Sequence, residues 1–275
     1  MMPGCSNRTC GAAIVKGLHQ LGAGRFFISP GARGSSLVAA VAESGFDATV
    51  HYDERGMAFA ALGWSMASGR PAVCITTSGS AVANLLPACV EAFHSNVPLI
   101  FVTADRPPEL RGTGSNQTIL QPGIFGSFVR AEADLSCPGD LEALPEILEN
   151  LIAAGGPVHL NVPFAEPLLP VGDIGDFSLP QKIETSQEDL CSKIPAGFFE
   201  SPHGVVVIGR LPIEDQKLGP RILEFANRLG WPVIADVLSG SRFLEGVVAH
   251  ADWILQHADI PEPERVLHFG GSLVS

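Results

Sequence analysis

The sequence predicts an α/β protein built on a doubly wound parallel sheet. Short apolar runs alternate with longer segments of helical periodicity, which is the pattern of parallel strands joined by crossover helices. Hydrophobic residues form 46% of the 275 residues and charged residues only 17%, so we expect strands that are buried on both faces. The 30 glycines and 22 prolines suit the tight turns between such elements.

The first part of the chain supplies five predicted helix–strand pairs. Ala13, Ile14, Leu18 and Leu21 share one face of the first helix, and a glycine follows it. The third helix is rich in Ala and Gly, so it can pack closely against neighbours. In chain order, the predicted helices are 7–21, 35–43, 54–66, 81–92 and 141–153, and the predicted strands are 26–28, 48–52, 72–77, 98–103 and 158–162.

A second α/β unit is predicted after a segment rich in Pro, Gly, Asp and Ser over 168–198, which we interpret as a linker. Strands are expected at 205–209, 232–235 and 265–269, with an amphipathic helix at 216–229. The chain stops at Ser275, shortly after the last strand. Because a domain rarely ends without the crossover helix of its last strand, we expect a truncated chain.

Composition argues against several classes of function. The formal charge of -12 and the lack of a basic run disfavour nucleic acid and anionic membranes as partners. No stretch reaches the roughly 18 apolar residues of a membrane span, so we expect a cytoplasmic protein. The six cysteines form no C-x-x-C pair and are expected to be reduced. The eight histidines show no metal-binding spacing, and no metal site is predicted.

The loops after the strands carry the candidate site, because ligands of open parallel sheets bind at the carboxyl ends of strands. The turn 29–34 offers backbone N–H groups and Arg33 to an anion, or it is a simple turn with a solvated arginine. Glu54 follows the second strand, either as an acid of altered pKa or as a charge that complements the helix dipole. For the hydroxyl-rich turn 76–80, helix capping is the favoured interpretation from sequence alone. The proline-stiffened loop from Asp105, with Arg106 and Arg111, favours binding.

These loops resemble one family of enzymes. The segments Ser-Pro-Gly-Ala-Arg-Gly, His-Tyr-Asp-Glu-Arg-Gly, Thr-Ser-Gly-Ser-Ala-Val-Ala-Asn-Leu-Leu-Pro-Ala, Ala-Asp-Arg-Pro-Pro-Glu-Leu-Arg, Ser-Asn-Gln and Asn-Val-Pro-Phe-Ala-Glu-Pro-Leu are similar to those of the 2-succinyl-5-enolpyruvyl-6-hydroxy-3-cyclohexene-1-carboxylate synthases. These are thiamine-diphosphate-dependent enzymes of menaquinone biosynthesis. The resemblance runs through nearly the whole chain.

The resemblance implies a chemistry and a set of residues. Such enzymes use thiamine diphosphate and Mg²⁺ or Mn²⁺ to decarboxylate 2-oxoglutarate and add the resulting succinyl carbanion equivalent to isochorismate. Glu54 matches the acid that activates the cofactor. The positions that match substrate-binding residues are Arg33, Arg106, Asn116 and Gln117, and those that match the cofactor-lining turn are Thr77, Ser78 and Gly79. At Ala32, many relatives have serine, so a substrate hydrogen bond is in doubt there.

The resemblance also implies a domain layout. Residues 1–170 match a pyrimidine-binding domain, 171–198 a linker and 199–275 part of a Rossmann-like central domain. The family's Gly-Asp-Gly motif, which with a later Asn anchors diphosphate and metal from a C-terminal domain across a homodimer or homotetramer interface, is absent from this sequence. We therefore expect the 275-residue chain alone to show no synthase activity and to bind thiamine diphosphate weakly or not at all.

Two alternatives remain open at this stage. The first is another thiamine-dependent 2-oxoacid decarboxylase or carboligase, similar to acetolactate synthase; the arginine-rich loop argues against it, because a pyruvate site needs fewer cations. The second is a non-catalytic assembly or regulatory protein of the same fold. The joint presence of Glu54, Arg33, Arg106 and Gln117 argues against this second alternative, because assembly alone does not require them.

Overall fold

The structure is a computed structural model that describes residues 6–136, 141–169, 171–181 and 194–274. The chain divides into two compact units. One comprises residues 1–66 and 70–184, and the other comprises 67–69 and 185–275.

The first unit is built on a six-stranded sheet in which all neighbouring strands are parallel. Its strand order is β2-β1-β3-β4-β6-β5. The strands are β1 (Arg25–Ile28), β2 (Ala48–Val50), β3 (Ala72–Thr76), β4 (Leu99–Asp105), β5 (Ala131–Asp134) and β6 (Val158–Pro163). The predicted doubly wound α/β fold is confirmed.

Helices cover both faces of this sheet. They are α1 (Asn7–Gln20), α2 (Ser35–Ser44), α3 (Glu54–Ser68), α4 (Ser80–Ala83), α5 (Leu86–Ser95) and α6 (Leu144–Ala153). One core packs α1, α2 and α6 on one face, and a second packs α3 and α5 on the other. The strands β3, β4 and β6 are buried along their whole length, as expected of runs of Val, Ile, Leu and Phe between two helical layers.

Two local predictions for the first unit are wrong. The helix predicted over 81–92 is two helices, α4 and α5, separated around Asn84 and Leu85, and Pro87 stands in the first turn of α5. Proline lacks the N–H that would continue the earlier helix, and it suits a helix start. The sequence predicts irregular chain where the edge strand β5 lies, because Ala-Glu-Ala-Asp has weak strand propensity.

Residues 171–181, assigned by sequence to the linker, lie on the first unit. The N–H of Gly175 donates to the Thr9 hydroxyl at 3.1 Å, and the side chain of Gln20 donates to the carbonyl of Pro180 at 2.6 Å. The central part of the predicted linker, 182–193, lies outside the described residues.

The second unit contains a three-stranded parallel sheet in the order β8-β7-β9. Trp231 is buried against Gly204, where a β-carbon would overlap the indole ring. Close packing of the Trp231 ring therefore requires glycine at position 204. The elements are β7 (Gly204–Ile208), α7 (Gly219–Leu229), β8 (Val233–Ala235), α8 (Ala251–His257) and β9 (Arg265–Phe269).

The cysteines correct one expectation. Cys74 and Cys89 are free and buried, and burial raises the pKa of both thiols, that of Cys89 to about 12. Cys10, in contrast, is disulfide-bonded. None of the helices in the described part of the chain combines the length and apolarity needed to cross a membrane.

Matched valine substitutions test the packing of the sheet. Val162 is fully buried in β6, and Val171 is fully exposed. Val162→Ala should lower the free energy of unfolding by about 2 kcal/mol, because two methyl groups are lost and a cavity remains. Val171→Ala should leave it nearly unchanged. Urea titrations of both variants would measure the difference, and equal effects would contradict the described core.

Candidate active site

The candidate site lies where the carboxyl ends of four neighbouring strands meet. Ser29 follows β1, Thr77 follows β3, Asp105 ends β4 and Phe164 follows β6. β2 pairs with one edge of β1, and β3 pairs with the opposite edge of β1. The strand order therefore reverses direction at β1. A crevice at such a topological switch point is the usual ligand site of an open α/β sheet.

Glu54 is held in place by two polar side chains. The Ser29 hydroxyl donates to Oε1 of Glu54 at 3.0 Å, and Nδ2 of Asn84 donates to Oε2 at 3.1 Å. These donors come from the end of β1 and from the break between α4 and α5. The carboxylate is half-buried and is oriented by neutral donors, with no cation among these partners.

The adjacent Asp53 contacts the start of α3 and Arg55. Its Oδ1 accepts the N–H of Gly56 at 2.9 Å, and Arg55 is 3.5 Å from its Oδ2. The hydrogen bond from Gly56 holds the pKa of Asp53 below its usual range. Asp53 therefore caps the first turn of α3 and faces Arg55, whereas Glu54, which also lies in that turn, has separate hydrogen-bond partners.

Asn84 and Ser29 were both missed as functional candidates. Asn84 is a polar residue within an apolar run, Ala-Val-Ala-Asn-Leu-Leu, and it stands three residues before Pro87. That proline could have predicted the helix break, and with it a side chain free to point toward the strand ends. Only the fold shows that the Glu54 carboxylate lies opposite the Asn84 side chain.

Two glycines allow the loops to approach one another closely. A β-carbon on Gly31 would collide with the side chain of Thr77. Gly79 has a φ of 83°, and a β-carbon there would lie 2.8 Å from Cγ of Gln117. At both positions a larger residue would separate the loops, and at Gly79 the positive φ adds backbone strain.

Around Gly79, the side chains of Arg106, Ser78 and Gln117 form one cluster. Nη1 of Arg106 donates to the Ser78 hydroxyl and, at 2.8 Å, to the carbonyl of Gln117. The side-chain amide of Gln117 in turn donates to the carbonyl of Ser78 at 3.0 Å. Gln117 adopts a φ of 54°, which is uncommon for a residue other than glycine. Its backbone is thus held in a strained conformation within the cluster.

Arg33 brings a second positive charge close to this cluster. Its Nη1 donates to the carbonyl of Phe164 at 2.9 Å, and its Nη2 lies 3.3 Å from Oε1 of Glu166. The side chain of Arg33 is only 11% exposed. Burial, followed by the positive charge of Arg33, lowers the pKa of Arg106. The carboxylates of Asp105 and Glu166 act on Arg106 in the opposite direction, so this edge of the sheet carries two guanidinium groups together with acidic partners.

Two residues of the same loop lie outside this cluster. Arg111 donates from Nε to Oδ2 of Asp105 at 3.1 Å and forms a two-point ion pair with Asp134 at 2.7 and 2.8 Å. Asn116 is exposed, and its carbonyl accepts from the Thr118 hydroxyl at 3.2 Å. Of the two arginines in the loop, only Arg106 joins the cluster.

A fully buried network of polar side chains lies beneath the cluster. Two of its members lie in segments noted from the sequence: Asp105 opens the predicted binding loop, and Asn161 begins the segment Asn-Val-Pro-Phe-Ala-Glu-Pro-Leu. The buried members of this network are Thr103, Asp105, Gln121, His159 and Asn161.

No group of three or more possible metal ligands occurs among His, Cys, Asp and Glu in the described ranges.

The ion pair of Asp134 predicts a pH dependence of stability. Burial alone would raise the pKa of Asp134, but hydrogen bonds from Arg111 and Asn161 outweigh it, and the pKa is lowered. A lowered pKa in the folded state stabilises the protein above the unfolded-state pKa of about 3.9, and this stabilisation disappears as pH falls through the folded-state value.

We therefore expect Asp134→Asn to cost more stability at pH 6 than at pH 3. Urea titration at each pH measures the free energy of unfolding. The control is Asp173→Asn, which removes an exposed carboxyl from outside the network and should change stability little at either pH. A cost for Asp134→Asn that is equal at both pH values would contradict the assignment.

Comparison with known proteins identifies two family domains in this chain. The family described as "Thiamine pyrophosphate enzyme, N-terminal TPP binding domain" matches residues 8–124, and "Middle domain of thiamine pyrophosphate" matches 179–275. A thiamine diphosphate-dependent 4-hydroxybenzoylformate decarboxylase from Rhodococcus jostii RHA1 superposes with a TM-score of 0.65 at 16% identity, over 84% of this chain and 44% of that one. At this identity, the likeness supports the fold alone.

Similar sequences narrow the family further. A 2-succinyl-5-enolpyruvyl-6-hydroxy-3-cyclohexene-1-carboxylate synthase from Rubrobacter xylanophilus is 41% identical over 98% of this chain. One from Aeromonas salmonicida is 37% identical, also over 98%. The chain spans about half the length of these curated relatives, 51% of each. The chain belongs to the 2-succinyl-5-enolpyruvyl-6-hydroxy-3-cyclohexene-1-carboxylate synthase family of thiamine pyrophosphate enzymes.

Proposed function

We propose that the complete protein is a thiamine-diphosphate-dependent synthase that decarboxylates 2-oxoglutarate and adds the succinyl carbanion equivalent to isochorismate. The product would be 2-succinyl-5-enolpyruvyl-6-hydroxy-3-cyclohexene-1-carboxylate, an intermediate of menaquinone biosynthesis. The observation that carries this proposal is a carboxylate held by Ser29 and Asn84 on the same edge of the sheet as the paired arginines, Arg33 and Arg106.

Glu54 fits the role of the acid that contacts the cofactor's aminopyrimidine. When bound, thiamine diphosphate supplies the electron sink for decarboxylation and carbon–carbon bond formation. Glu54 would exchange a proton with N1′ of the pyrimidine, and the donors Ser29 and Asn84 would keep its carboxylate in one orientation. The close turns at Gly31 and Gly79, with Thr77 and Ser78, would line the cofactor's side of the crevice.

Arg33, Arg106, Asn116 and Gln117 would bind the carboxylates of the substrates. A local pair of guanidinium groups in a chain of net charge -12 offers a defined location for anions. Nε and Nη2 of Arg106 have no partner among the described residues, so this guanidinium retains donors for a substrate oxygen. The paired arginines favour dicarboxylate substrates over pyruvate.

The metal and the diphosphate would be held mainly by another part of the complete protein. We propose Mg²⁺ or Mn²⁺ as the ion, and a homodimer or homotetramer as the assembly in the cytoplasm. The exposed side of α3 supports association, because Phe59 is 47% exposed and the adjoining Tyr52 is 95% exposed. Gly56 and Gly63 on the same side leave room for a neighbouring backbone.

Replacing Glu54 by glutamine in the complete protein tests the proposed chemistry. The change conserves shape but removes the group that exchanges a proton with the cofactor, so kcat should fall by about 10²-fold or more. Glu91→Gln, on the exposed side of α5, is the matched control and should retain wild-type kcat. Synthase activity can be followed by consumption of isochorismate. Wild-type turnover by Glu54→Gln would refute the mechanism.

A second substitution tests the carboxylate-binding cluster. Arg106→Met keeps an unbranched side chain but removes a charged donor, so KM for at least one substrate should rise about tenfold or more. The control is Arg130→Met, because Arg130 contacts Asn96 and stacks over Phe93 at the surface. Steady-state kinetics with 2-oxoglutarate, pyruvate and isochorismate would measure the effect. An unchanged KM for every substrate, or faster use of pyruvate than of 2-oxoglutarate by the wild type, would contradict the proposed specificity.

A further inference from the structure

The buried amide side chains of Asn161 and Gln121 connect the loops of the candidate site through hydrogen bonds. Asn161 lies within β6, and Gln121 follows the loop that contains Gln117; both are fully buried. An apolar residue would fill a position in a buried strand without any cost of desolvation. Burying an amide costs desolvation free energy, which its hydrogen bonds must offset. These hydrogen bonds therefore indicate what the amide does.

Asn161 uses all of its hydrogen-bonding capacity. Its Oδ1 accepts from the Thr103 hydroxyl at 2.9 Å and from Nε2 of Gln121 at 2.8 Å. Its Nδ2 donates to Oδ2 of Asp105 at 3.0 Å and to Oδ1 of Asp134 at 2.7 Å. Two donors and two acceptor sites are the full inventory of an amide side chain. These four bonds fix which atom is oxygen and which is nitrogen, and join β4, β5 and β6.

Gln121 extends the chain of hydrogen bonds to the cofactor-lining turn. Its Nε2 donates to Asn161 and to the carbonyl of Ala104, the latter at 3.2 Å. Its Oε1 accepts the N–H of Gly79 at 3.0 Å. Gly79 has a positive φ and adjoins Ser78, which accepts a hydrogen bond from Arg106. One end of the network therefore reaches the turn that contacts the Arg106 guanidinium.

The other end of the network reaches the backbone of Arg106 itself. Oδ1 of the fully buried Asp105 accepts the N–H of Arg106 at 2.7 Å, while its Oδ2 accepts from Asn161 and Arg111. The backbone of Arg106 and the turn that receives its side chain are thus tied to the same two amides. Packing alone requires no such arrangement, because polar contacts are directional and apolar contacts are not.

We propose that Gln121 and Asn161 are positioning residues, which set the distance between the Gly79 turn and the Arg106 guanidinium and thereby control substrate affinity. This inference rests on the proposed function, since it assumes that the cluster binds a substrate carboxylate. Both amides are fully buried, so a substrate would not contact them directly. Their effect is exerted through Gly79, Asp105 and the backbone of Arg106.

The test uses Gln121→Met in the complete protein, a change that keeps an unbranched side chain but removes three hydrogen bonds. KM for 2-oxoglutarate or isochorismate should rise about tenfold, while kcat at saturation stays within about threefold of wild type. Leu99→Ala is the control: Leu99 is fully buried at the opposite end of β4, so this variant loses stability without altering the network. Its KM values should match those of the wild type.

Amide hydrogen exchange provides a readout that does not depend on turnover. In Gln121→Met, the N–H groups of Gly79 and Arg106 should exchange faster than in the wild type, whereas Leu99→Ala should not show this local change. A folded Gln121→Met variant with unchanged KM values, with unchanged exchange at Gly79, or with effects equal to those of Leu99→Ala would overturn the proposal. If the wild type turns over neither substrate, the proposed function fails, and the exchange data alone decide the positioning role.

Discussion

Parallel pairing of β1, β3, β4 and β6 is the constraint on which the candidate site depends. Their register places Ile28 beside Ile75, and Thr76 beside Thr103. Since all four strands run in the same direction, the loops that leave them emerge at one edge. Residues far apart in sequence, such as Arg33 and Glu166, meet there. Without this pairing, the same side chains would be separate features of separate loops.

Charged and neutral polar groups have different roles at this edge. Glu54 is held by neutral donors, and Asp53 beside it serves the helix start and Arg55. Of the two acids, only Glu54 contacts Ser29 and Asn84. Two successive carboxylates thus perform a structural and a proposed chemical role, because one faces the first turn of α3 and the other faces the ends of β1 and α4.

The positively charged part of the site depends on buried polar contacts. Arg106 and Arg111 belong to one loop, but Asp105 and Asp134 retain Arg111, while Arg106 extends to Ser78 and Gln117. The buried amides of Asn161 and Gln121 link these two environments. Loop composition alone does not distinguish the two arginines. The distinction comes from the acidic edge strand β5, which supplies Asp134.

The sequence by itself determined the α/β class, the order of most strands and helices, and the loops that carry Glu54, Arg33 and Arg106, because hydrophobic periodicity and turn residues are local signals. The break at Asn84 has a local signal in Pro87 that the sequence interpretation did not use. The sequence did not determine the edge strand β5 or the partners of Glu54 and Asn161. Those features depend on contacts between residues distant in the chain. A buried amide is recognisable as a connecting group only when the atoms on both of its sides have been placed by the tertiary structure.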